Sequence, residues 1–377
     1  MGGKGSGVEG ARARDPRRRL AGDRDQAHPA RPADRRAARA CGGAPPCARS
    51  DVAARGQHLP HPRPRGGRGR GDARGAGLSA AKEIAPAALT ARAVRAVLKP
   101  LPAAAGKEQR GRVLVIGGST RYPGAIVLAA RSAARCGAGV VIVASARSVV
   151  EAIAGSEPDL TLFPLAEAQP GVVATAAAAQ LTLVLGEKVK AMLIGPGLSH
   201  AAGTDEFVAA MLRNARGTPT VVDADGLNAL ARTEDWTKLI PQRCVLTPHD
   251  GEAARLAGRV VPAGSGRIAF AERHAREWGA VVALKGPVTV ITDGKKTFVH
   301  DLPNPTLGVG GSGDVLGGAV AAFLARGLAP LAAAYAAVWI HGRAGALLAS
   351  EIGESGALAS DIAAALPRAM REILRGS

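Results

Sequence analysis

From Leu78 onward, short apolar runs ending in glycine-rich turns alternate with Ala-rich amphipathic segments, and this alternation leaves few architectures open. The buried-strand candidates are residues 112–118 (RVLVIGG), 139–145 (GVVIVAS), 160–165 (LTLFPL), 191–197 (AMLIGPG), 220–226 (TVVDADG), 244–249 (CVLTPH), 281–286 (VVALKG), 288–292 (VTVIT) and 296–300 (KTFVH). A helical lead-in, LTARAVRAVL, precedes them, and helical patterns such as AIVLAARSAARCG and EFVAAMLRNARG lie between them. Continuous apolar strands are buried on both faces, and strands joined by helices assemble as βαβ units around a parallel sheet. Only 3% of residues are aromatic. Packing must then rely on Ala, Gly and Val and on close approach of helices to the sheet, which suits an α/β fold better than a sandwich.

The first 77 residues differ in kind. Built from Arg, Ala, Gly and Pro, with runs such as RDPRRRL and HPRPRGGRGRG, they show neither a period of 2 nor one of 3.6. Such a stretch buries too little apolar surface to offset its conformational entropy, so disorder is expected. The expected division is a basic leader over 1–77 and one α/β domain over 78–377. The leader holds 18 Lys and Arg against 7 Asp and Glu, a net +11 of the total +18. The charge excess is therefore local. Three accounts fit the leader: a solvated tail, a gene-model artefact from a mis-assigned start or frame, and a basic arm for nucleic acid. The last lacks aromatic residues for base stacking, and no nucleic-acid partner is expected.

No uninterrupted apolar h-region marks a secretory signal. The apolar stretch 319–340 is broken by Arg326 and Pro330, with Tyr335 and Trp339 at helical spacing, so no membrane span is expected. Cys41, Cys47, Cys136 and Cys244 form neither a CxxC pair nor a metal-ligand pattern. A reducing, cytoplasmic setting is the expectation, without a disulfide framework or a protein-held metal.

The strongest local signal is LGVGGSGDVLGGAVAAFLARG, residues 307–327. Glycines let the backbone approach an anion, and a helix N-terminus offers free N–H groups and a positive dipole to phosphate oxygens. Asp314 would sit in the first turn, where a carboxylate can take the proton from a hydroxyl attacking phosphorus, or can simply cap the helix. KGPVTVIT, 285–292, reads as strand, turn and strand, with Lys285 and Thr289 either presented to nucleotide phosphates or solvated at a sheet edge. In VLTPHDGEAARL, 245–256, Asp250 and Glu252 have an ordinary explanation as helix-dipole partners, and His249 has less of one. Asp223 and Asp225 in VVDADGLNAL close an apolar strand, where parallel sheets bind ligands; site and capping roles weigh equally there. IGGSTRYPGA, 116–125, is not GxGxxG, which disfavours a hydride-transferring dinucleotide fold. GPGLS, 195–199, is another glycine-rich approach after a strand.

Taken in this order, GGSTRYPGA, CGAGVV, GPGLS, DADGLN, LTPHDGE, KGPVTVIT and NPTLGVGGSGDVLGG resemble the NAD(P)H-hydrate dehydratase family over roughly residues 100–350. The resemblance implies a ribokinase-like fold, a central mostly parallel sheet flanked by helices on both faces. It also implies that ADP or ATP, with Mg2+, phosphorylates the hydroxyl of hydrated NADH or NADPH, after which phosphate leaves. By motif, Ala125, Gly197, His249 and Asp314 would contact the hydrated dinucleotide. Lys285, Gly286, Pro287, Val288, Thr289 and Gly313 would hold the adenosine phosphates. Asp314 would be the general base, and Gly311, Ser312 and Gly313 the anion hole. The single-domain layout resembles bacterial members, which implies ADP as the nucleotide, and the resemblance also implies a homo-oligomer, with a tetramer as one candidate state. The leader is too short and irregular for the epimerase domain that often precedes this one, so no epimerase activity is expected. Gly308 and Val309 depart from the family's usual glycine motif, which bears on nucleotide preference. The runner-up is a ribokinase-superfamily kinase of a vitamin precursor such as a hydroxymethylpyrimidine; Tyr122 and His249 favour the dehydratase.

Overall fold

The nine apolar runs become nine strands of one sheet in the computed structural model, which describes residues 86–375 apart from residues 187, 202 and 216. The leader expected over 1–77 lies outside the described residues. The strands are β1 (Ala87–Ala88), β2 (Arg112–Ile116), β3 (Val140–Ala146), β4 (Thr161–Leu165), β5 (Val189–Ile194), β6 (Thr220–Val222), β7 (Cys244–Leu246), β8 (Val281–Leu284), β9 (Val288–Thr292) and β10 (Thr297–Asp301). Their order is β1-β10-β9-β8-β7-β6-β5-β2-β3-β4. Only the β8–β9 and β9–β10 pairs are antiparallel, and the others are parallel. The mostly parallel α/β sheet read from the sequence is the sheet observed.

Alternation along each strand buries both faces. Val113, Val115, Leu193, Val221 and Val245 join one apolar cluster, with helices Pro123–Arg135, Ser312–Ala325, Pro330–Ile352 and Ala359–Arg375. Leu114, Ile116, Met192, Ile194, Val222 and Leu246 join the other, with helices Thr204–Asn214, Asp225–Arg232, Asp250–Ala257 and Ser265–Trp278. Small residues permit the close packing that the low aromatic content requires. A Cβ added at Gly318 would lie 2.0 Å from the Ala129 carbonyl oxygen, so helices Ser312–Ala325 and Pro123–Arg135 meet backbone to backbone there.

The apolar stretch 319–340 is divided as its interruptions suggest: one helix ends at Ala325 with Arg326 as C-cap, and Pro330 opens the next. That second helix, Pro330–Ile352, is long and apolar enough to cross a membrane by length and composition, yet 67% of its most apolar window is buried inside the protein. Two small features escaped the sequence reading: strand β1 and the separate hairpin Glu167–Gln169/Val172–Val173. Two- and three-residue strands are too short to show a period.

Candidate active site

The strand order reverses at β2, which lies between β3 and β5, and open parallel sheets bind ligands beyond the carboxyl ends of such strands. Two glycine loops interlock there. The Gly118 N–H donates to the Pro196 carbonyl at 2.7 Å, and the Gly195 N–H to Ile116 at 3.0 Å. Gly197 has φ +66°, and a Cβ on it would lie 2.9 Å from the Ala125 Cβ and 2.8 Å from the Tyr122 carbonyl oxygen. Ala125 and Gly197, both expected at the substrate, are thus neighbours, with half-exposed Tyr122 beside them.

The ends of β6, β7 and β8 bring charges together. Asp223 follows β6 and is 1% exposed; its Oδ1 accepts from Lys285 Nζ at 2.7 Å. Glu252 Oε2 lies 3.7 Å from the same ammonium. Lys285 follows β8, and its N–H donates to the Pro248 carbonyl at 2.8 Å, which sets it beside the end of β7. Lys285 is therefore an internal ion-pair partner, not a solvated edge lysine. Burial works against its charge, but Asp223, Glu252 and Asp314 outweigh that and hold its pKa above the ordinary lysine value. Glu252 is pushed up, first by burial and then by Asp223, with Lys285 opposing.

His249 has the structural role that the sequence did not supply: it is the N-cap of helix Asp250–Ala257. Its Nδ1 accepts from the Gly251 N–H at 3.0 Å, and its own N–H donates to Glu252 Oε2 at 2.9 Å, a reciprocal capping box. With Nδ1 accepting, the ring proton belongs on Nε2, which lies 3.4 Å from Glu252 Oε1. Asp225 does not cap its helix: it is the first residue of Asp225–Arg232, whose N-cap is Ala224, and its carboxylate accepts from the Ser199 N–H of the glycine loop at 2.8 Å and from Asn228 Nδ2 at 3.2 Å, while Asp223 enters the charged cluster.

The glycine helix Ser312–Ala325 aims its N-terminus at this cluster. Gly311 is its N-cap at φ +92°, a left-handed position that favours glycine, and a Cβ there would lie 2.5 Å from Leu128 Cδ1. A Cβ on Gly313 would lie 3.3 Å from Lys285 Nζ, so the first turn touches the ammonium. Of the expected anion-hole amides, the Ser312 N–H already donates to the Val309 carbonyl at 3.2 Å. Its hydroxyl pairs with His341 Nε2 at 3.1 Å, and burial drives that imidazole down to about 4, keeping it neutral. Asp314 is pushed up to about 7, mainly by burial and then by Asp223, with Lys285 opposing. A carboxyl poised near neutrality suits a general base.

A cavity of about 650 Å³ opens beside the β8–β9 turn. His249, Lys285, Gly286, Pro287, Thr289 and Gly313 line it. Val288 is absent from its wall; the Val288 carbonyl is instead directed to Arg267. The rest of the lining mixes apolar side chains, including Leu302, Leu307, Leu316 and Val338, with the polar groups of His300, Asn304, Ser312 and His341. Among the described residues no three His, Cys, Asp or Glu side chains are grouped to hold a metal, and Asp223 and Glu252 already face Lys285. These residues fit a Mg2+ ion carried on nucleotide phosphates, not one held in a protein cage.

Sequence reading missed Arg267 and the pairing of Asp223 and Glu252 with Lys285. It also missed His341, whose only signal is a lone imidazole within an apolar helix.

Fold and topology together define a ribokinase-like α/β protein whose glycine-opened helix starts beside a buried charged cluster. The chain belongs to the NAD(P)H-hydrate dehydratase family, whose model matches residues 113–368. It is 38% identical to the ADP-dependent (S)-NAD(P)H-hydrate dehydratase of Xanthomonas campestris, over 76% of this chain and 97% of that one. It is also 38% identical to the bifunctional NAD(P)H-hydrate repair enzyme of Moorella thermoacetica, over 76% of this chain and 54% of that one. The chain thus spans about half the length of its bifunctional relatives. The ADP/ATP-dependent NAD(P)H-hydrate dehydratase of Bacillus subtilis, co-crystallized with ATP/Mg2+, superposes with a TM-score of 0.67 at 29% identity, over 77% of this chain and 99% of that one.

Proposed function

We propose that this chain dehydrates the S epimer of hydrated NADH or NADPH at the expense of ADP, or less readily ATP, restoring the reduced cofactor and releasing phosphate with AMP or ADP. Asp314, at the start of the glycine helix with its carboxyl poised near neutrality, is the observation that carries this reading. Hydroxide is a poor leaving group and phosphate a good one, so a nucleotide makes the dehydration possible.

The substrate hydroxyl lies against Ala125, Gly197, His249 and Asp314. Asp314 takes the hydroxyl proton as its oxygen attacks the terminal phosphorus, and the bond to the departing nucleotide breaks. Lys285 and the helix N-terminus, with Gly311, Ser312 and Gly313, balance charge on the transferring group. The Lys285–Thr289 turn and Gly313 hold the remaining phosphates. The ring then expels phosphate and loses a proton to restore the dihydronicotinamide. Mg2+, brought in with the nucleotide, would supply charge neutralisation on the phosphates.

The functional unit is residues 78–377, acting in the cytoplasm as a homo-oligomer, with a tetramer as the candidate state. The buried free thiols of Cys136 and Cys244 agree with a reducing setting. The purified protein is incubated with hydrated NADH, magnesium and ADP or ATP while reduced-nicotinamide absorbance is followed. Recovery that requires nucleotide and disappears in Asp314→Asn supports the reading; no recovery from folded protein with either nucleotide rejects it.

A further inference from the structure

Helix Ser265–Trp278 contributes one side chain to the nucleotide turn from behind. Arg267 is 9% exposed, and its guanidinium is surrounded by acceptors. Nη2 donates to the Lys285 carbonyl at 2.6 Å and the Leu284 carbonyl at 3.3 Å, Nε donates to the Val288 carbonyl at 3.0 Å, and Nη1 pairs with Asp250 Oδ1. Three carbonyls of one tight turn are thus gathered onto a single planar cation. Gly286 is shaped by the same contact: a Cβ on it would lie 2.6 Å from Nη2.

The arrangement has an electrostatic consequence. Carbonyl oxygens turned toward a phosphate repel it, whereas amides and the Lys285 ammonium attract it; the Thr289 hydroxyl donates within the turn, to the Gly286 carbonyl at 3.1 Å. Drawing the carbonyls of residues 284, 285 and 288 to Arg267 fixes the turn with its oxygens committed away from any anion. A guanidinium can do this because its five donors lie in a rigid fork, which the single ammonium of a lysine does not reproduce. Asp250 adds a link, since it opens the helix capped by His249.

We propose that Arg267 is a positioning residue of the nucleotide site, clamping the Leu284–Val288 turn in its phosphate-receiving shape and tying it through Asp250 to the His249 helix. The inference rests on the nucleotide reading of this turn, and its test separates the two.

ADP affinity is measured by calorimetry with magnesium, together with KM for ADP and for hydrated NADH, in the wild type and in Arg267→Met, Arg267→Lys, Arg267→Ala and Gly286→Ala. Arg267→Met is expected to weaken ADP binding by about tenfold or more while changing KM for hydrated NADH less than about threefold. Arg267→Lys should not restore it, and millimolar guanidinium should partly rescue ADP affinity in Arg267→Ala. If Arg267→Met does not fold, Gly286→Ala carries the test: it keeps the arginine but displaces it, and should show the same nucleotide-selective loss. Wild-type protein that binds ADP, with folded Arg267 and Gly286 variants binding within about twofold of it, overturns the clamp. So does an equal loss toward both ligands. Wild-type protein that binds no nucleotide overturns the nucleotide reading itself.

Discussion

Replacing the proposed base, Asp314→Asn, should abolish turnover and at the same time stabilise the fold at alkaline pH. The Asp314 carboxyl is raised from 3.8 to about 7, by burial first and then by Asp223, Asp225 and Glu252, against the opposing charge of Lys285. Because the folded state holds this proton more tightly than the unfolded one, ionisation destabilises the wild type as pH rises. The penalty is absent below about pH 4, grows through the window between the two pKa values, and is complete above about pH 7. At about 1.4 kcal/mol per unit, the whole shift corresponds to a ceiling of about 4 kcal/mol. Asparagine carries no charge, so its advantage over the wild type should increase by about 3 kcal/mol between pH 5 and pH 8. For a domain of this size that is a relative gain in Tm of roughly 5 °C. Calorimetry of both proteins at the two pH values reads it directly. An Asp314→Asn variant whose Tm difference from wild type is the same at pH 5 and pH 8 would refute the poised, buried carboxyl.

Other consequences follow from the same cluster. Lys285→Met should cost about 3–5 kcal/mol at neutral pH, because it leaves Asp223 buried without its partner, and Lys285→Met with Asp223→Asn should recover much of that stability in denaturant melts. Turnover should rise with pH along an acid limb and level off near pH 7, since Asp314 must shed its proton to act; kcat/KM measured from pH 5 to 9 checks the limb. Deleting residues 1–77 should leave kcat and KM unchanged, and a loss of activity in a folded truncation would assign the leader a role.

Much of the fold was legible because long apolar runs and glycine punctuation are local signals. The β8–β9 turn, the helix start at Ser312 and the split of the apolar stretch at Arg326 and Pro330 all follow from a few consecutive residues. The glycine loops around Gly118 and Gly197 were visible as motifs, but their interlocking depends on β2 and β5 being neighbours in the sheet. Charge pairing was less legible for a similar reason. Lys285 and Asp223 are 62 positions apart, and only sheet order brings them together. Arg267 lies in a helix rich in charged residues, where the sequence offers no way to tell a buried guanidinium from its solvated neighbours. Glu252 was read as a helix-dipole partner, which the capping box bears out, but its second role beside Lys285 depends on the tertiary fold.

The most direct test of the central claim is the stoichiometry of the products, followed by phosphorus NMR alongside nicotinamide absorbance with hydrated NADH and ADP. The result expected is one inorganic phosphate and one AMP for each NADH restored, with no lasting phosphoester. Accumulation of a stable phosphoester without recovery of NADH would contradict the dehydratase and favour a kinase built on the same glycine helix.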